Sequence, residues 1–222
     1  MMKRLVVLMG LLAPFLAGSQ TKLKPKVIEI KKLVIDKRES YEFSSRDSSV
    51  SVFIDTLVMR PGAKISFFNK KEAQMVVRHA VIEKGAWIGG NDGRNNGTNI
   101  KLNINFAALK NLTINVAGQD AKSANRKFDN GNGGNVVINY LSSGVTPQIQ
   151  TSKQSAYIEI ENRGGGYRTN PQSDLAVIFG QIRSGSPGRP LGQLANGRVY
   201  SGGYGSDGKT TINPITSLGT VN

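Results

Sequence analysis

Eight residues late in the chain carry the groups that grip sugars, bases and anions. Arg163, Tyr167 and Arg168 lie in Asn162-Arg163-Gly164-Gly165-Gly166-Tyr167-Arg168, and Arg183, Arg189, Arg198, Tyr200 and Tyr204 follow in the Gly-rich stretch Arg183 to Lys209. A guanidinium is a rigid fork of donors suited to carboxylate, sulfate or phosphate, and a tyrosine ring stacks on a sugar or a base. Borne on Gly-rich loops, these are the candidate binding residues. The competing reading of the same stretch is a linker, or a cap over the end of a repeat array.

Catalytic groups are sparse by comparison. His79 is the single histidine and stands in Val76-Val77-Arg78-His79-Ala80-Val81 with no spaced partner for nucleophilic chemistry. Glu159 and Glu161 flank Ile160 and share a strand face, where a glycosidase would need a second carboxylate supplied by a neighbouring segment. Asp92, Asp120, Asp129 and Asp207 lie in Gly-rich loops, but each stands alone, so no calcium cluster is written in the sequence. Gly89-Gly90 and Gly164-Gly165-Gly166 lack the Lys-Ser/Thr pair and helix of a phosphate cradle. The chain has no cysteine, which removes disulfides, thiol catalysis and Cys-based metal sites. No catalytic residue, cofactor or metal is expected.

The elements that must position these residues repeat. Leu57-Val58-Met59-Arg60-Pro61-Gly62-Ala63-Lys64-Ile65 returns at an offset of 23 as Ala80-Val81-Ile82-Glu83-Lys84-Gly85-Ala86-Trp87-Ile88, and Leu33-Val34-Ile35 precedes the first by 24. An apolar strand, a Gly turn and a further inward residue at that period form one coil of a solenoid. Strand signals run over Val27–Ile35, Val50–Met59, Ile65–Phe68, Met75–Ile82, Ile100–Phe106, Leu112–Val116, Val136–Leu141, Ala156–Ile160 and Leu175–Phe179, with no helical stripe set against them. Core strands near positions 34, 58, 81, 104, 138, 159 and 177 give about seven coils, with the polar stretch Gly118 to Gly134 inserted in one of them. The inward set is Val34, Val58, Ile65, Val81, Ile88, Ile104, Ile138 and Ile160, or their neighbours if the register slips by one. The expected fold is all-β, a right-handed parallel β-helix (β-solenoid) with Gly-rich loops.

Asparagine has two expected jobs. Asn103, Asn105, Asn115 and Asn139 alternate with apolar residues and point away from the core, where stacked amides can bond from coil to coil. Asn91-Asp92-Gly93, Asn95-Asn96-Gly97 and Asn130-Gly131-Asn132-Gly133-Gly134 supply the positive φ of tight turns.

The segment 1–19 is expected to be a signal peptide: Lys3-Arg4, then the apolar run Leu5 to Leu16, then Ala17-Gly18-Ser19 as the cleavage site. Residues 20–182 then form the solenoid domain and 183–222 a Gly/Pro-rich cap or tail. Cleavage removes Lys3 and Arg4 and takes the net charge from +14 to +12, a balance that draws an exported protein to polyanions. Mass spectrometry of protein from its native host should show a chain starting at Gln20; a start at Met1 would overturn this reading.

The two repeated phrases, Asp55 to Ile65 and Ala80 to Gly90, resemble the coils of pectate-lyase-like right-handed β-helix proteins, and the Gly- and Asn-rich turns resemble exported bacterial proteins with collagen-like loops. The resemblance covers about Val27 to Phe179 and is one of fold pattern. Its members range from lyases and hydrolases to adhesins and passive surface proteins, and the lyases' catalytic Arg and calcium-binding Asp cluster have no counterpart here. The expected function is an exported, non-enzymatic structural or binding protein of the bacterial envelope or cell surface. Its expected partner is an anionic envelope polymer or an outer-membrane protein complex, in preference to nucleic acid. The alternatives are a carbohydrate-active β-helix enzyme and an accessory subunit of an outer-membrane complex.

Overall fold

The computed structural model describes residues 27–121, 123–125, 127–166, 171–184 and 203–219. Eleven strands build two parallel sheets. The strands are β1 (Val27–Ile35), β2 (Ser40–Glu42), β3 (Ser49–Met59), β4 (Lys64–Phe68), β5 (Glu72–Ile82), β6 (Ala86–Asn91), β7 (Asn99–Leu109), β8 (Asn111–Asn115), β9 (Val136–Leu141), β10 (Tyr157–Glu161) and β11 (Thr210–Ile215). The first sheet has the order β1-β3-β5-β7-β9-β11 and the second β10-β8-β6-β4-β2, so the chain alternates between them as it climbs a β-solenoid. The coils are fewer than the seven expected. Three of them, carrying the 11-residue strands β3, β5 and β7, are complete. The positions near 159 and 177 do not add coils to the first sheet, because β10 stacks on β8 in the second sheet and Pro171–Ser184 is a helix, α1.

Inside, like residues stack on like. Val52, Met75, Leu102 and Ile138 lie in register through four strands, Ile65, Ile88 and Ile114 through three, and all are fully buried. Each such side chain contributes about 1.5–3 kcal/mol by leaving water. Leu57, Ala80 and Phe106 form another stack, in which the large ring sits above the small methyl.

The inward set is corrected in the first sheet. Ile65, Ile88, Ile104 and Ile138 are buried as expected and Ile160 is partly buried against the core. Val34, however, is 39% exposed and Val58 and Val81 are only half-buried, while Leu33, Ile35, Leu57, Met59, Ala80 and Ile82 face the core. The cause is a corner within each long strand. In β5, Ala73, Met75 and Val77 point inward, Arg78 and His79 are both exposed, and Ala80 and Ile82 point inward again. Two successive outward residues invert the alternation, and β3 turns in the same way at Asp55-Thr56. Arg78 spans that corner, 3.4 Å from Asp55 and over the Phe53 ring at 5.0 Å.

The turn after each corner needs a left-handed residue. Gly62 and Gly85 both have φ 75°, and Arg38 with φ 63° holds the same place one coil before Gly62. At the opposite side of the coil Lys70 is fully buried, its Nζ donating to the carbonyls of Ser45 and Asp47, so its charge is satisfied by the turn beneath.

Beyond the third coil the connections change character. Segments 96–100, 116–120, 130–136, 162–165 and 203–209 lie side by side, and along 130–136 the hydrogen bonds recur at every third position. Gly131 and Gly134 donate to Gln119 and Val116 at 2.9 and 2.8 Å, and Gly133 and Val136 donate to Ser206 and Lys209, both at 2.8 Å. The N–H groups between them, of Asn132 and Asn135, go to the side chains of Asn96 and Asn99 at 2.9 and 2.8 Å. Successive N–H directions serving three different neighbours are the geometry of a polyproline II helix, whose turn closes every third position. The expectation of tight turns at Asn130 to Gly134 is corrected accordingly: Gly131, Gly133 and Gly134 are absent from the positive-φ residues, whereas Gly93 and Asn95, both at φ 73°, fulfil it. Gly131 is there for contact, since a Cβ on it would lie 1.6 Å from the Asn95 carbonyl oxygen.

Candidate functional site

The segments that follow β8 and β10 run side by side. Ala117–Asp120 with Ser123 and Ala124, and Glu161 with Arg163–Gly166, line a cleft of about 550 Å³. Its walls are held through their backbone N–H groups: Gly118 donates to the Arg163 carbonyl at 2.7 Å, Gly165 to the Gly131 carbonyl at 2.7 Å, and Gly164 to the Asp207 carboxylate at 2.8 Å. Glu161 accepts from the Asn115 amide. Arg163 is exposed, and among the described residues no carboxylate pairs with its guanidinium.

Of the eight residues picked out by sequence, Arg163 and Tyr204 are described with their side chains, and Arg163 lines this cleft. Tyr204 is 67% exposed and lies against Gly166, where a Cβ would stand 3.2 Å from the Tyr204 Cδ1 atom. Arg183 falls in α1, not in a loop. Tyr167, Arg168, Arg189, Arg198 and Tyr200 lie outside the described residues.

The cleft opens beside the outer face of the second sheet, to which the sequence assigns no function. Two outward rows cross that face. Lys64, Trp87, Thr113 and Glu159 form one, and Ser66, Gly89, Asn115 and Glu161 the other. Trp87 leans along its strand onto Gly89: a Cβ there would come within 2.5 Å of its Cζ2. The Thr113 hydroxyl donates to Glu159 at 3.4 Å. Trp87 could have been found from the repeat itself, because the offset between the two phrases places it directly above Lys64 on an outward position.

The remaining candidates have structural partners. Asn139 donates to Asn103 at 2.8 Å and Asn213 to Asn139 at 3.2 Å, the amide ladder expected on the outside of the first sheet. Asp92 accepts from the backbone of Arg94 and Asn96 at 2.7 and 3.0 Å and closes its own loop. His79 is exposed at the corner beside Thr56 of the coil below. Among the described residues no three His, Cys, Asp or Glu side chains gather as metal ligands. No helix among them is long and apolar enough to cross a membrane.

The chain thus has a parallel β-solenoid, an arginine in a glycine-walled cleft with no ion-pair partner among the described residues, and an outward tryptophan on the second sheet. Comparison with known protein families, curated proteins and solved structures finds no match to this chain. The likeness to pectate-lyase-like β-helices is therefore one of coil architecture alone.

Proposed function

We propose that this is an exported, non-enzymatic binding protein of the bacterial envelope or cell surface that holds an anionic polymer or an acidic protein surface at its glycine-bundle end. The observation that carries the reading is Arg163: a guanidinium without an ion-pair partner among the described residues, set in a cleft whose walls are fixed by backbone bonds between segments. A fork of donors with no such partner meets a carboxylate, sulfate or phosphate without first losing an internal contact. The net charge of +14 over the whole chain, or +12 once Lys3 and Arg4 are removed, supports long-range attraction to such a partner. Tyr204, exposed and lying against Gly166, supplies an apolar contact next to a residue that lines the cleft.

The test is binding of the chain without residues 1–19 to dextran sulfate and to envelope fractions of the native host. Affinity should fall steeply between about 0.1 and about 1 M salt, over which the screening length drops from about 10 to about 3 Å. Arg163→Gln should weaken binding by about tenfold at low salt, as expected for loss of one charge-assisted contact, with an unchanged melting temperature. Salt-independent binding, or a variant that binds as the parent does, would overturn the proposal.

A further inference from the structure

The outer face of the second sheet has the parts of a different kind of site. Trp87 is the single tryptophan, remains partly exposed, and lies over a glycine that leaves room for its ring. An indole held against a sheet presents an apolar platform, and such a platform suits the C–H face of a pyranose ring. Further along the stack stand Glu159 and Glu161, two strands above, about 9.6 Å at ordinary strand spacing. Each carboxylate is held from the coil beneath, Glu159 by the Thr113 hydroxyl and Glu161 by the Asn115 amide. An ionised carboxylate has about four acceptor sites, so each keeps capacity for hydroxyl donors after that one bond.

We propose that this face is a subsite for a neutral polysaccharide, with Trp87 stacking one sugar ring and Glu159 and Glu161 accepting the hydroxyls of a ring further along the same chain. The two carboxylates decide the ligand's charge. They favour a donor-rich neutral chain over a polyanion, whereas in the cleft, which Glu161 also lines, its charge stands together with that of Arg163. The proposal stands independently of the Arg163 reading.

Because Trp87 is the sole tryptophan, the intact chain reports on the site by its own fluorescence. The measurement is a titration with neutral hexasaccharides of β-1,4-glucan, β-1,3-glucan and N-acetylglucosamine, followed by emission and by calorimetry. At least one should give a saturable emission change that persists at about 1 M salt, which separates it from ion-driven capture. Trp87→Ala should weaken that binding by about tenfold or more and Trp87→Tyr by less, as for loss or partial retention of a stacking anchor. Should Trp87→Ala fail to fold, the exposed Glu159→Ala takes its place, with a several-fold loss expected. No response across the three sugars, binding abolished by salt, or full affinity in the folded variants would each overturn the proposal.

Discussion

Ile138→Asp should leave the chain without a cooperative fold. Ile138 is fully buried, in register between Leu102 below and Ile212 above. A carboxylate there must either ionise among hydrocarbons or remain protonated without a partner. Either choice costs several kcal/mol, against a whole-domain stability of about 5–15 kcal/mol. Thermal unfolding followed by circular dichroism should show no sharp transition for Ile138→Asp, while Ile138→Val should lose only about 1 kcal/mol. A soluble Asp variant that melts as the parent does would refute the register of β9.

Gly131→Ala is expected to damage one end of the molecule and spare the other. Its methyl would stand 1.6 Å from the Asn95 carbonyl oxygen and 2.1 Å from the carbon, and both are backbone atoms with no rotamer to escape into. The segments must separate, at about 3 kcal/mol or more. Hydrogen exchange should then lose protection over residues 116–120 and 162–166, and the Arg163 cleft should go with it, while β3 to β6 stay protected. Gly203→Ala is the control, since nothing lies within 4 Å of a Cβ at Gly203. Equal protection in Gly131→Ala and Gly203→Ala would show that the close packing around Gly131 is not needed.

The solenoid is legible because its repeat is periodic where the coils are regular. The steps from Ile28 to Val52 to Met75 are nearly equal, and the same turn recurs at Arg38, Gly62 and Gly85. Legibility fails where one period gives way to another. Valine reads as the inward residue only if strict alternation is carried through Arg78-His79, where the strand turns a corner and the parity inverts. The step from Met75 to Leu102 is longer than those before it, and β7 slips against β5 after Val77. Helix α1 reads as strand from its β-branched residues, although Leu175, Ile178, Phe179 and Ile182 recur at i, i+3, i+4 and i+7. In the glycine bundle, 130–134 reads as a turn and 203–209 as part of a Gly-rich loop or cap, although Gly131 with Gly134 and Gly205 with Gly208 carry a spacing of three that neither strand nor helix shows.

Of the site, Arg163 and Tyr204 are visible as residue types on Gly-rich sequence. The cleft is not, because it exists only where segments 117–120 and 161–166, far apart along the chain, are brought side by side. Trp87 escapes notice for a related reason. Its chemistry depends on its neighbours across the coils, and those are set by register.

The unequal spacing of the stacked strands also prescribes an order of assembly. In the first sheet the stretch of chain between stacked partners is short from Ile28 to Val52 and from Val52 to Met75, longer from Leu102 to Ile138, and longest from Ile138 to Ile212. Closing the last loop costs about 1 kcal/mol more chain entropy than closing the first, and it gains only the short β11 in return. The early coils can thus zip up while the late ones are still searching, and β11 docks last, carrying into place the 203–209 segment of the bundle. The end of the molecule proposed to bind polyanions is then also the last to be built and the first to open.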